Sequence, residues 1–274
     1  MALTVGTGPF GEQSNGTFNF EAKPPWGHTL YMEDSPKRVR VIFNGETVAD
    51  SRRVKLLHET GHLPVYYFPE EDLRHDLLEP SDHTTYCPFK GDASYRSVRV
   101  GDRVAENAVW SYPEPIDSAP PLAGYAAFYW NKMDAWYEED EEVFVHPRDP
   151  YHRVDILDSS RHVRVLVNGE VVAETDRPEL LFETGLPTRY YIPPEDVREE
   201  LLVPSDTNTQ CPYKGVASYW AVDAGGELFE DLIWYYPEPL PEAAKISGLL
   251  CFFNERVDLE VDGEKQPRPR TRWS

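Results

Sequence analysis

The chain is short of cysteine, of basic side chains and of long apolar runs, and each shortage excludes something. Three cysteines are too few for a disulfide framework. Cys87 and Cys211 hold the same place in two copies of a repeat, so each belongs to its own copy, and Cys251 aligns with Ala127. The opening Met1-Ala-Leu-Thr-Val-Gly6 is neither basic nor followed by an apolar run, so no signal peptide is expected, and the expected setting is reducing and cytoplasmic. No apolar segment approaches bilayer-spanning length, so no membrane partner is expected. Basic side chains number 27 against 48 acidic ones, a net charge of −21. Such a surface repels phosphate backbones and anionic lipid, so nucleic acid is not an expected partner.

What the chain does contain is enough to fold. Hydrophobic residues make up 40% and aromatics 13%, whereas disordered chains are poor in aromatics. The 25 prolines fall at turns and segment ends instead of in one tract. Pro80-Ser-Asp-His-Thr-Thr-Tyr-Cys87-Pro-Phe-Lys90-Gly91-Asp-Ala-Ser-Tyr95 returns as Pro204-Ser-Asp-Thr-Asn-Thr-Gln-Cys211-Pro-Tyr-Lys214-Gly215-Val-Ala-Ser-Tyr219, an offset of 124 residues (211 − 87). Residues 38–134 and 162–258 align without insertion or deletion, and nearly half of the aligned positions are identical. A unit of this size buries its own core, so two domains are expected, 1–143 and 144–274. The acidic run Glu138 to Glu142 marks the junction, and Lys265 to Arg272 reads as a disordered basic tail. Phe18-Asn-Phe20 in the glycine-rich leader offers a further strand.

Within the unit, the pattern is that of strands. Arg38 to Phe43 and Glu46 to Ala49 alternate around Asn44-Gly45, and His162 to Ala173 repeats this around Asn168-Gly169. Asn and Gly tolerate the positive φ of a type I′ turn, so each is a β-hairpin. Strands follow at Val54 to Glu59 and Val65 to Phe68, then a short helix over Glu70 to Leu78 with acids at its start. Pro193-Pro-Glu-Asp196 opens the matching helix over Val197 to Leu202. Strands near 83–87, 94–100 and 103–110 lead to Trp110-Ser-Tyr-Pro-Glu-Pro115, matched by Trp234-Tyr-Tyr-Pro-Glu-Pro239. Leu122 to Trp130 packs last, as helix or strand.

His146-Pro-Arg-Asp-Pro-Tyr151, the Asn-Gly hairpin, Glu-Thr-Gly with its Tyr-Tyr pair, Cys211-Pro-Tyr-Lys-Gly215 and Trp234-Tyr-Tyr-Pro-Glu-Pro239 together resemble the DUF427 family. That is a mainly-β domain of unknown function, whose alternative label points to nucleotidyltransferases. The resemblance covers both copies and implies the tandem form; it implies a fold and little mechanism. Copy two keeps the pattern more closely, with Arg189 where copy one has Val65, so an anion-binding arginine is expected in copy two alone.

The candidate chemistry gathers around the repeated turn. In Cys87-Pro-Phe-Lys90 and Cys211-Pro-Tyr-Lys214, Pro at the second position of a β-turn brings thiol and ammonium together, which favours a thiolate. The plainer reading is a small cysteine at a strand end with its lysine reaching to water. Glu59 and Glu183 precede a Gly turn opposite Tyr66-Tyr67 and Tyr190-Tyr191; one tyrosine of each pair faces a pocket while its neighbour faces away. Tyr66 and Tyr190 are taken as the pocket members. Tyr95, Trp110 and Tyr112, with Tyr219, Trp234 and Tyr236, supply further aromatic bodies with polar tips, and His28 and His152 join by strand pairing. His58-Glu-Thr-Gly-His62 fits H-E-x-x-H, which holds zinc only on a helix. Gly61, Pro64 and the copy-two sequence Phe182-Glu-Thr-Gly-Leu186 argue for a turn, so no metal is expected. No cofactor follows from these residues.

The expected protein is therefore mainly β. Each lobe is a small, bent antiparallel sheet or partly open barrel with one short helix, or else a tent of two crossed sheets. The leading functional expectation is a small polar or anionic ligand held in an aromatic cleft of each lobe by Lys90 or Lys214. Group-transfer or other enzymatic chemistry through Cys, Lys, Tyr and Glu is the second. A structural protein whose two repeats pack on each other is the third.

Overall fold

A computed structural model of the protein describes residues 17, 19, 28–271 and 274. The strand expected through Phe18-Asn-Phe20 lies outside the described residues. The chain divides into two compact units, one running to Asp149 and the next starting at Pro150.

In the first unit the strands are β1 (Leu30–Asp34), β2 (Val39–Phe43), β3 (Glu46–Ser51), β4 (Lys55–Glu59), β5 (Val65–Pro69), β6 (Leu78–Cys87), β7 (Gly91–Val100), β8 (Arg103–Ser111), β9 (Tyr125–Phe128), β10 (Ala135–Glu138) and β11 (Glu141–Glu142). They form a seven-stranded sheet in the order β1-β4-β5-β9-β8-β7-β6 and a four-stranded sheet in the order β11-β10-β2-β3. The second unit has β12 (Val154–Asp158), β13 (Val163–Val167), β14 (Glu170–Thr175), β15 (Glu179–Glu183), β16 (Arg189–Ile192), β17 (Leu202–Cys211), β18 (Gly215–Ala224), β19 (Glu227–Tyr235), β20 (Leu250–Phe252), β21 (Asp258–Val261) and β22 (Glu264–Lys265). Their orders, β12-β15-β16-β20-β19-β18-β17 and β14-β13-β21-β22, repeat the first unit strand for strand. Each lobe is thus a pair of antiparallel sheets and not a closed barrel, in line with the mainly-β expectation.

The hairpins form for the reason the sequence gives. Asn44 and Gly45 have φ of 48° and 79°, and Asn168 and Gly169 have 50° and 79°, as a type I′ turn requires. Strand alternation then gives each large sheet two apolar faces. In lobe one, Leu56, Tyr66, Phe68, Val98 and Phe128 pack against Val39, Val41 and Trp136 of the small sheet. On the other face, Leu57, Tyr67, Ala93, Tyr95 and Ala127 pack with Tyr112 and Leu122 from the loop beyond β8. Lobe two has the same two cores. Each large side chain buried in this way contributes on the order of 1.5–3 kcal/mol.

Several local expectations change. The helix expected over Glu70 to Leu78 is two 3-10 turns, Glu70–Asp72 and His75–Leu77. Between them Leu73 bridges to Ala49, and the Arg74 N–H donates to the Val48 carbonyl, so pairing with β3 interrupts the helix. Pro194–Asp196 and Glu199–Leu201 repeat this around Val197 and Ala173. Leu122 to Trp130 supplies strand β9, which inserts between β5 and β8. The acidic run expected to mark the junction forms the hairpin of β10 and β11, and Glu138 is buried, binding Lys37 and the Tyr66 hydroxyl. The basic tail is held to lobe two because carboxylates meet it there: Arg268 pairs with Asp258, and the Thr271 hydroxyl donates to Glu255.

One edge of each large sheet is irregular. On β6, Pro80 pairs with Arg96 but the next partners are Thr84 and Ser94, so Ser81, Asp82 and His83 stand opposite Tyr95 alone. β17 breaks in the same way between Pro204 and Asn208.

Candidate functional site

The repeated Cys-Pro-aromatic-Lys segment is the turn between β6 and β7, and in lobe two between β17 and β18. The Lys90 N–H donates to the Cys87 carbonyl at 3.2 Å, the closing bond of a β-turn with proline second. Gly91 follows with φ of +102°, where a Cβ would meet the Glu114 carbonyl and the Ile116 nitrogen, both at 3.3 Å. That close passage explains the Pro-Glu-Pro segment: it runs over the glycine, and its Ile116 N–H donates to the Lys90 carbonyl. Gly215, at φ of +101°, and Glu238 repeat the arrangement.

The turn sends its lysine inward, onto the outer face of the large sheet. Lys90 reaches the Glu59 carboxylate at the end of β4, and Lys214 reaches Glu183 at the end of β15, 2.7 Å away. The other carboxylate oxygen binds a histidine: His28 Nε2 lies 2.7 Å from Glu59 Oε1, and His152 Nε2 lies 2.8 Å from Glu183 Oε1. β1 pairs with β4 so that Leu30 faces Glu59, which puts the histidine beside the carboxylate. Each imidazole is stacked on the turn's aromatic residue, His28 on Phe89 with ring centroids 3.7 Å apart and His152 on Tyr213 at 4.1 Å. The lysines are buried; the histidines and Cys87 and Cys211 are half-buried, and Phe89 is exposed. The site is a charged floor beneath an accessible aromatic rim.

The electrostatics follow from that burial. Desolvation pushes the Glu183 carboxyl up, but Lys214 and the His152 hydrogen bond outweigh it and hold it at about 2. Glu59 is likewise lowered against its burial, by its bonds from Lys90 and His28. Burial works against the Lys214 ammonium, yet Glu183 and the Cys211 thiol beside it raise its pKa. Tyr236 and Tyr112, also on this face, are pushed up mainly by burial.

Other candidate residues fall elsewhere. Of the tyrosine pairs, it is Tyr67 and Tyr191 that share this face. Lys55 pairs with Tyr67, and Leu57 with Val65, so Tyr67 lies on the same side as Glu59. Tyr66 points to the opposite core and donates to Glu138 at 2.6 Å, and Tyr190 packs on the corresponding core of lobe two. Trp110 donates to the Tyr67 hydroxyl at 3.2 Å and Trp234 to Tyr191 at 3.0 Å. They wall the outer-face core. Tyr95 and Tyr219 bond Thr85 and Thr209 at 2.9 and 2.7 Å. Arg189, the expected anion-binding arginine, is buried in a bidentate pair with Glu255 at 2.7 and 2.8 Å, over the Trp234 ring, so its charge is already matched within the lobe. The lysines' charge is likewise already matched by Glu59 and Glu183. A shallow hollow of about 460 Å³, lined by Phe43, Arg103, Val104, Ala105, Glu106 and Lys132, contains none of the candidates.

H-E-x-x-H lies on β4 and the turn beyond it. His58 is fully buried and binds Glu33 at 2.8 Å, whereas His62 is exposed. Among the described residues, one trio offers metal-type ligands close together: His28, Glu59 and His62, whose ligand atoms lie within 4.8 Å of one another. Sequence reasoning missed Phe89, Tyr213 and His62. The first two were signalled by an aromatic residue between the repeated proline and lysine.

A family model, that of the domain of unknown function DUF427, matches residues 31–139 and again 155–263. The chain is a tandem member of the DUF427 family. No curated protein matches it. Each DUF427 segment contains the glutamate, cysteine and lysine of the site, and each histidine stands just ahead of its segment, at 28 and 152.

Proposed function

We propose that each DUF427 lobe is a binding module for a small polar ligand, held at the rim where His28 or His152 stacks on Phe89 or Tyr213. The observation that carries this reading is the duplicated His–Glu–Lys cluster: three titratable groups meet on one sheet face in both lobes, with the imidazole partly exposed. A cluster serving only the core would have no use for an accessible imidazole clamped on a ring. Because Glu59 and Glu183 already match the lysines, hydrogen bonding and stacking select the ligand more than a free positive charge does. The net charge of −21 also favours a small ligand over nucleic acid.

The reading is tested by thermal-shift screening of the full chain against nucleotides, small acids and neutral polar metabolites. At a ligand concentration about a hundred times Kd, stabilisation is about 2.7 kcal/mol. Phe89→Ala and Tyr213→Ala, both at the accessible turn, are each expected to remove the response of one lobe. Shifts that survive the double variant would place the ligand elsewhere, and the reading fails.

A second reading, thiol chemistry, is favoured by one observation: the Cys211 thiol stands beside the Lys214 ammonium. Cys251 is its internal control, fully buried and pushed up by that burial to about 12. With iodoacetamide near neutral pH, Cys87 and Cys211 are expected to label in the native state and Cys251 only after unfolding. Labelling of Cys211 faster than a free model thiol supports thiol chemistry; a slower rate leaves binding alone.

A further inference from the structure

We propose that the first lobe, and not the second, holds a zinc ion between His28, Glu59 and His62. Two imidazoles and one carboxylate form a ligand set suited to Zn²⁺, with a fourth position open to water or to a bound molecule. Tetrahedral bonds of about 2.0–2.1 Å place ligand atoms roughly 3.4 Å apart. Here the three lie within 4.8 Å of one another, and His62, exposed beyond the Gly61 turn, has room to close the difference.

The surroundings prepare each ligand. His62 Nδ1 lies 3.0 Å from the Thr60 carbonyl oxygen. A carbonyl only accepts, so Nδ1 carries the proton and Nε2 keeps its lone pair, the usual outer-shell arrangement of a metal-binding histidine. Stacking on Phe89 fixes the plane of His28, whose Nε2 meets Glu59 Oε1 at 2.7 Å; a carboxylate only accepts, so this Nε2 carries a proton, which zinc binding releases as the ion takes its place between the two atoms. Lys90 holds the other oxygen of that carboxylate, which turns Oε1 toward the imidazoles. The rings of His28 and His62 meet edge to face with centroids 6.0 Å apart.

The expectation of no metal rested on the helical spacing that H-E-x-x-H requires; in the fold His58 faces Glu33 and lies outside the trio. Cross-strand placement selects a different trio, in which the motif supplies its glutamate and last histidine and β1 pairing supplies the third ligand. Lobe two provides the comparison within the same chain. It keeps His152 and Glu183 but has Leu186 at the position of His62, which leaves two ligands. The proposal does not depend on the polar-ligand reading, since zinc binding and metabolite binding are measured separately and lobe two carries only the latter.

The experiment titrates the chelator-stripped full-length chain with Zn²⁺ by calorimetry and counts zinc retained after desalting. One equivalent per chain is expected, with Co²⁺ giving the visible bands of a tetrahedral site. His62→Leu, which copies lobe two at an exposed position, is expected to weaken zinc binding at least tenfold and to remove those bands. His83→Ala, at an exposed histidine outside the trio, is expected to change neither. Absence of a stoichiometric site, or equal affinity in His62→Leu, would overturn the proposal; the latter would assign the ion to the acidic surface.

Discussion

Lys214→Met is expected to destabilise the second lobe by roughly 3–5 kcal/mol, the usual cost of removing one partner from a buried ion pair. Lys214 and Glu183 are both almost fully buried, and in the variant Glu183 keeps only His152. The pH dependence distinguishes this from simple loss of packing. In the parent protein Glu183 is held at about 2 against an ordinary 4.5. A carboxyl lowered on folding contributes stability that is fully present above the unfolded value and is lost as pH falls through the folded one. The parent lobe should therefore lose on the order of 3 kcal/mol between pH 4.5 and 2. Without the ammonium, burial dominates and pushes Glu183 upward, so Lys214→Met should gain stability as pH falls from neutrality. Urea unfolding followed by tryptophan fluorescence from pH 2 to 8 measures both effects. A variant within about 1 kcal/mol of the parent, with the same pH slope, would show that the pair does not hold the site together.

Arg189→Val is expected to cost a similar amount, roughly 3–5 kcal/mol, and its repair is written in the other lobe. Glu255 is fully buried at its side chain and depends on the Arg189 fork. At the corresponding places lobe one has Val65 and Asn131, so the arginine and its carboxylate are absent together. Arg189→Val with Glu255→Asn should recover most of the loss and end within about 1–2 kcal/mol of the parent, because buried ion pairs are replaceable as units. A double-mutant cycle in urea measures the coupling. Simple additivity of the two single changes would mean that the fork and the carboxylate do not depend on each other.

How much of this was legible in the sequence depended on distance along the chain. The hairpins at Asn44-Gly45 and Asn168-Gly169 were legible because their backbone requirement is local. The Lys turn was legible for the same reason, and its repetition marked it. The faces were not. That adjacent tyrosines diverge follows from strand geometry, but which of Tyr66 and Tyr67 joins Glu59 depends on the β4–β5 register, and a shift of one residue exchanges them. Arg189 looked like an anion receptor because its partner lies 66 residues away. His62 was set aside with the helical motif, since only the pairing of β1 with β4 brings His28 to it.

The broken pairing on β6 and β17 has a consequence for behaviour at high concentration. A straight, ten-residue border strand invites a second molecule to dock backbone to backbone and seed fibrils. Pro80 and Pro204 lack the amide such docking needs, and the looped-out residues after them spoil the repeat spacing. Along this border each lobe thus offers short, mismatched lengths of open ladder to its neighbours in solution.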